Sequence, residues 1–183
     1  MKRIGLVVVG TLCASVAFGD LAEYADPFVG TAGTGHTFPA ACVPFGLIQA
    51  GPDTGSDDWD HCSGYNIGDR TIYGFSQTHL NGTGGEDLGD VLIAPFTDGP
   101  IEKGAEIAEP GYYSVEFPSK SVRVESTASE HVGFYRFSSC DRLFVDGQWG
   151  IAHDGRFLTN VLSQVALLEP TGDSPWLSRS SCA

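Results

Sequence analysis

The residues best equipped for chemistry lie in one stretch, Trp59 to Asp90, which reads W-D-H-C-S-G-Y-N-I-G-D-R-T-I-Y-G-F-S-Q-T-H-L-N-G-T-G-G-E-D-L-G-D. Aromatic rings (Trp59, Tyr65, Tyr73) stand beside hydrogen-bonding groups (Asp60, His61, His79, Asn81, Asp87). A flat apolar face with polar edges suits a sugar or another polyhydroxylated ligand. No helical period and no strict alternation runs through the stretch, so it reads as long loop. Long ordered loops tend to carry function. The bland alternative is a solvated connection with no ligand at all.

Other candidates are weaker. Asp53, Asp57, Asp58 and Asp60 put carboxylates close together, as a calcium site requires. They do not follow the D-x-[DN]-x-[DN]-G loop, which favours a solvated acidic loop. Gly30 to Gly35, G-T-A-G-T-G, looks superficially like a phosphate-binding loop. It lacks the Lys of such a loop, and no strong strand precedes it. Backbone amides turned toward a ligand hydroxyl are a better use of those glycines. No C-x-x-C spacing supports a zinc knuckle or a thiol redox motif.

The elements that must position these residues are strands. The chain has 183 residues, enough for about one domain. Residues 1–19 are separable: Lys2 and Arg3, then an apolar run to Ala17, then Ala17-Phe18-Gly19. This pattern predicts a secretory signal peptide, and hence export to the periplasm or outside the cell. The apolar run is too short to span a membrane comfortably. The net charge is −13, and loss of Lys2 and Arg3 makes it more negative. Such a protein repels a phosphate backbone, which argues against a nucleic-acid partner. Cys42, Cys62, Cys140 and Cys182 remain after the leader; disulfides and free thiols are both open.

Asp26-Pro27 starts the mature fold with a turn or extended segment. Pro39, Pro44 and Pro52 exclude a helix between them and leave room for a short strand at Gly46 to Ala50. From Val91 the texture changes to short Val-, Phe- and Tyr-rich runs: Val91–Phe96, Tyr112–Phe117, Val122–Ala128, His131–Phe137 and Arg142–Val145. Val122, Val124 and Ser126 alternate with Arg123, Glu125 and Thr127, and Ser129-Glu130 closes a hairpin. The pattern predicts an all-β, antiparallel sandwich over residues 20–168. Gly155 to Leu168 fits a helix or strands, and residues 169–183 read as a linker or tail.

Several of these segments then point one way together. D-P-F-V-G-T, G-H-T-F-P-A-A-C-V-P-F-G, G-P-D-T, W-D-H-C-S-G-Y, G-F-S-Q-T-H-L-N-G-T-G and D-L-G-D, in this order and spacing, resemble the N-terminal domain of family 92 glycoside hydrolases, which are secreted exo-acting α-mannosidases. The resemblance covers about Tyr24 to Gly150 and fades beyond it.

The resemblance implies a β-sandwich that is incomplete without a C-terminal (α/α)6 barrel, with the active site between the two. It implies hydrolysis of an α-mannoside, such as an N-glycan-type carbohydrate, with inversion. One carboxylic acid protonates the leaving oxygen and one carboxylate activates water. It implies a Ca2+ ion whose ligands, like the acid and the base, come from the barrel and not from these 183 residues. The sandwich's share of the pocket carries over to Phe28, Gly30 and Thr31 in the early motif. Trp59 would stack on the sugar and Asp60 would hydrogen-bond to it. His36, His79 and Asp87 are further pocket groups, or else polar residues that tie loops together. Two other readings stand beside this one: a free-standing carbohydrate-binding module, and a truncated or frameshifted reading frame.

Overall fold

A computed structural model of the protein describes residues 21–55, 61–82, 91–96, 99–140, 142–146 and 149, and the backbone of 166–168. The predicted leader and tail lie outside the described residues, as does most of the segment Gly155 to Leu168. A short 3₁₀ turn, Leu21–Tyr24, opens the described part. Twelve strands follow: β1 Ala41–Cys42, β2 Gln49–Asp53, β3 Thr71–Ile72, β4 Gly74–Ser76, β5 Leu92–Ala94, β6 Ile101–Glu102, β7 Glu106–Glu109, β8 Tyr112–Phe117, β9 Val122–Ala128, β10 Gly133–Ser138, β11 Leu143–Asp146 and β12 Ala166–Leu168.

These strands form one six-stranded sheet in the order β1-β2-β4-β5-β11-β12, one four-stranded sheet in the order β10-β9-β8-β7, and a β3-β6 pair. Every pairing among them is antiparallel. The predicted antiparallel all-β fold is therefore the one adopted. Pro52 is tolerated inside β2 because β1 reaches only Gln49 and Ala50, so the proline lies past the end of that ladder.

The two larger sheets meet over an aromatic core. Tyr113, Val115, Phe117, Val122 and Val124 face it from β8 and β9; Ile72, Phe75, Ala94 and Phe96 face it from the other side. Phe75 and Phe117 pack edge to face with ring centroids 6.3 Å apart, and Phe96 meets Phe117 at 5.2 Å. Such pairs add to the burial of apolar area that drives the sheets together. Hydrogen bonds also cross between the sheets. The Ser126 hydroxyl donates to the Ala50 carbonyl at 2.9 Å, and the Tyr135 hydroxyl donates to the Ser76 carbonyl.

One polar knot sits against this core. Glu106 Oε1 accepts from the Tyr65 hydroxyl at 2.9 Å and from the Tyr113 hydroxyl at 2.6 Å. Glu106 Oε2 pairs with Lys103 Nζ at 2.6 Å, and Lys103 Nζ also donates to the Tyr65 oxygen at 3.1 Å. Burial, then the Glu106 charge, pushes both phenols well above the usual tyrosine range, so both stay donors. The knot ties the loop bearing Tyr65 to the edge of the four-stranded sheet.

Three sequence expectations differ from the fold. The Trp59–Asp90 stretch is not loop throughout: Thr71–Ile72 and Gly74–Ser76 are strands, and Ile72 and Phe75 are core residues. Their alternation spans too few residues for periodicity to register. Tyr65 is no ligand platform either, being fully buried with its hydroxyl on Glu106. The expected strand at Gly46 to Ala50 instead runs over Gln49–Asp53.

Glu106→Ala strands a buried ammonium and two phenols. It should cost about 3 kcal/mol of stability by urea denaturation, while the exposed Glu116→Ala should cost no more than about 0.5 kcal/mol.

Candidate functional site

Three loops meet beside the end of β2. The first runs from Asp26 to Thr37. Asp26 Oδ1 accepts from the Phe28 amide at 2.9 Å, and the Thr31 hydroxyl donates to the Phe28 carbonyl at 2.8 Å. The Phe28 ring packs against the core and anchors the turn. Gly30 has φ +82°, and a Cβ on Gly35 would lie 1.9 Å from the Gly30 carbonyl oxygen. Only glycine fits at that crossing. The Thr31 carbonyl accepts from the Ile67 amide at 2.9 Å, which joins the first loop to the second.

The second loop leaves β2 at Thr54 and returns at Gly64. Its two ends are pinned by the Thr54 amide donating to the Gly64 carbonyl at 2.8 Å, and by the Asn66 amide donating to Thr54 Oγ1 at 2.9 Å. Beneath this closure lies a fully buried ion pair. His79 Nε2 faces Asp53 Oδ1 at 3.3 Å, and both side chains are sealed from solvent. His79 Nδ1 lies 2.8 Å from the Gln49 carbonyl oxygen. A carbonyl oxygen only accepts, so Nδ1 carries hydrogen and Nε2 is left to meet the carboxylate. Burial by itself lowers the His79 pKa; the Asp53 charge opposes this and wins, helped by the backbone carbonyls of Gln49 and Pro52. The imidazole therefore titrates above its ordinary value. Gly64, at φ +82°, caps the pair: a Cβ there would sit 2.9 Å from Asp53 Oδ1 and 3.0 Å from the His79 ring.

The third loop follows β4 and carries His79 and Gly82, and His36 joins it to the other two. His36 holds φ +53° and is buried. Its carbonyl accepts from the Gly82 amide at 2.9 Å, and its Nδ1 contacts Cys62 Sγ. Cys62 Sγ in turn donates to the Gly82 carbonyl at 3.3 Å, and the Ser63 hydroxyl donates to the Thr37 carbonyl at 3.1 Å. Among the sequence-predicted site residues, Phe28, Gly30, Thr31, His36 and His79 are thus brought into one cluster. Thr31, His36 and His79 are buried and serve as ties within it. Trp59, Asp60 and Asp87 lie outside the described residues.

Sequence reasoning missed the partners. Asp53, which heads the acidic run considered for calcium, is buried against His79. Cys62 lies inside the cluster, and among the described residues Cys42, Cys62 and Cys140 form no disulfide with one another. His61 pairs with Asp69 at 2.7 Å, nearer the surface. Among the described residues, no three His, Cys, Asp or Glu side chains gather as a metal site would require.

The raised His79 pKa fixes the sign of a pH effect. The pair's contribution is complete below the ordinary imidazole value of 6.5 and is lost as pH rises through the higher folded value. The urea midpoint is expected to fall as pH rises above the ordinary imidazole value, and to fall less in Asp53→Asn/His79→Gln.

Comparison with known proteins gives this cluster a setting. The model of the glycosyl hydrolase family 92 N-terminal domain matches residues 24–143. A protein of Arthroderma benhamiae described as an uncharacterized secreted glycosidase is 31% identical over 157 residues, covering 75% of this chain and 20% of that protein. A family GH92 alpha-mannosidase from Bacteroides thetaiotaomicron, solved in complex with mannoimidazole, is 37% identical with a TM-score of 0.66, over 72% of this chain and 20% of its own. A GH92 family glycosyl hydrolase is 27% identical with a TM-score of 0.62, over 73% of this chain and 21% of its own. The chain spans about a fifth of the length of the relatives it matches. With the motifs, the sandwich and the family match in agreement, the chain belongs to glycosyl hydrolase family 92, whose N-terminal domain it carries.

Proposed function

We propose that the three-loop cluster is one wall of an α-mannoside pocket, and that the catalytic carboxyls of the inverting reaction come from residues outside these 183. The observation that carries the reading is the 37% identity to an alpha-mannosidase solved with mannoimidazole, over 72% of the sequence. The geometry supports it. Buried ties leave the loops with a single arrangement, as a pre-formed binding wall needs. Wall residues bind and orient the sugar ring and keep bulk water off one side of it. Trp59 stacks on the ring and Asp60 hydrogen-bonds to it in this reading, with Asp87 as a further polar group. Phe28, Gly30, Thr31, His36 and His79 hold the wall's shape and present its backbone.

The remaining parts belong to a longer enzyme. An (α/α)6 barrel would close the pocket, and inversion would use two carboxyls separated by enough room for water. Calcium would be held by residues of that barrel in this reading. Export, through the leader at residues 1–19, would bring the domain to extracellular or periplasmic mannosides.

The 183-residue protein alone is expected to give no hydrolysis of an aryl α-mannoside, with or without calcium. In calorimetry it should bind methyl α-mannoside no tighter than about 1 mM, since these residues form one wall of the pocket in this reading, and Trp59→Ala should remove the binding. Hydrolysis by this protein alone would overturn the division of roles. Binding near 1 μM would instead establish a free-standing carbohydrate-binding module.

A further inference from the structure

Asn81 is exposed and is followed by Gly82, inside the motif H-L-N-G-T-G. Glycine has no Cβ to keep its backbone nitrogen away from the side chain before it. Among the described residues, a Cβ placed at Gly82 would meet nothing within 4 Å. An Asn-Gly pair can therefore cyclise. The Gly82 nitrogen attacks Asn81 Cγ and a new bond forms between them. The bond from Asn81 Cγ to its own amide nitrogen Nδ2 breaks, and ammonia leaves with the proton from the Gly82 amide. Water then opens the cyclic imide at either carbonyl, giving aspartate or isoaspartate. Solvent water is the only co-reactant, and no oxidant or metal enters.

The fold holds this nitrogen in another bond. The Gly82 amide donates to the His36 carbonyl at 2.9 Å, and the Gly82 carbonyl accepts from Cys62 Sγ at 3.3 Å. Both polar groups of Gly82 are thus tied to the other two loops. Attack requires the amide to leave His36, so its rate follows the population of a locally opened junction. We propose that Asn81 is a deamidation site gated by the fold, kept intact by the His36–Gly82–Cys62 junction and converted when that junction opens. The change is self-reinforcing. Isoaspartate adds a carbon to the backbone between the two residues, which moves Gly82 off both partners. Either product adds a negative charge to a protein already at −13. This holds whether or not the cluster binds a mannoside.

The test is peptide mapping after long incubation of the 183-residue protein at mildly alkaline pH, in buffer and in concentrated urea. Trypsin releases Thr71–Lys103, in which Asn81 is the single asparagine, so a mass gain of amide-to-acid conversion reports it directly. The folded protein should convert at least about tenfold more slowly than the unfolded one, equivalent to about 1.4 kcal/mol of local opening. Folded Cys62→Ala should convert at an intermediate rate. Equal rates in buffer and urea would overturn the proposal, as would a Cys62→Ala rate equal to that of wild type. If Cys62→Ala does not fold, hydrogen exchange of the wild-type Gly82 amide decides: protection supports the gate, and exchange at the unprotected rate removes it.

Discussion

The contact between Asp53 and His79 constrains everything around it. A carboxyl and an imidazole with no solvent access are expensive to separate, because either one alone would be left without a polar partner in the interior. Asp53 ends β2, and His79 lies three residues beyond β4. Gly64, from a different loop, lies so near both side chains that no Cβ fits there. A shift of any of these segments would break the pair or drive backbone into it. The six-stranded sheet and the loops above it are therefore locked in one relative position.

That lock explains why so glycine-rich a region can be ordered. Glycine costs more backbone entropy on folding than any other residue. Here the cost is offset by many short ties: Thr54 with Gly64, Thr31 with Ile67, His36 with Gly82, Ser63 with Thr37. The Glu106 knot plays the same part at the other end of the second loop, through Tyr65. Buried polar networks of this kind favour one arrangement when their members are paired. A wall meant to orient a sugar needs such stiffness more than it needs reactive groups.

Much of the sandwich is legible in the residues. The alternation of Val122, Val124 and Ser126 against Arg123, Glu125 and Thr127 marks β9, and Tyr112–Phe117 is β8 to the residue. The short strands are not, because Thr71–Ile72 and Ile101–Glu102 are too brief for any period to show. The motifs locate the loop cluster, and the two-way reading of His36 and His79 already contains their role as ties. What the linear order hides is long-range pairing. Asp53 looks like one member of an acidic run until the sheet brings it against His79, and Tyr65 looks like a platform until Glu106 is folded over it.

If the three loops face the sugar, a map of backbone-amide shifts during titration with methyl α-mannoside will show it. On this account the shifts concentrate at Gly30, Thr31, Gly64 and Gly82 and their neighbours, while the outer face of the four-stranded sheet around Glu125 and Arg136 stays unmoved. A folded sample whose loops do not respond at high ligand concentration, or whose shifts centre on Glu125 and Arg136 instead, would contradict it.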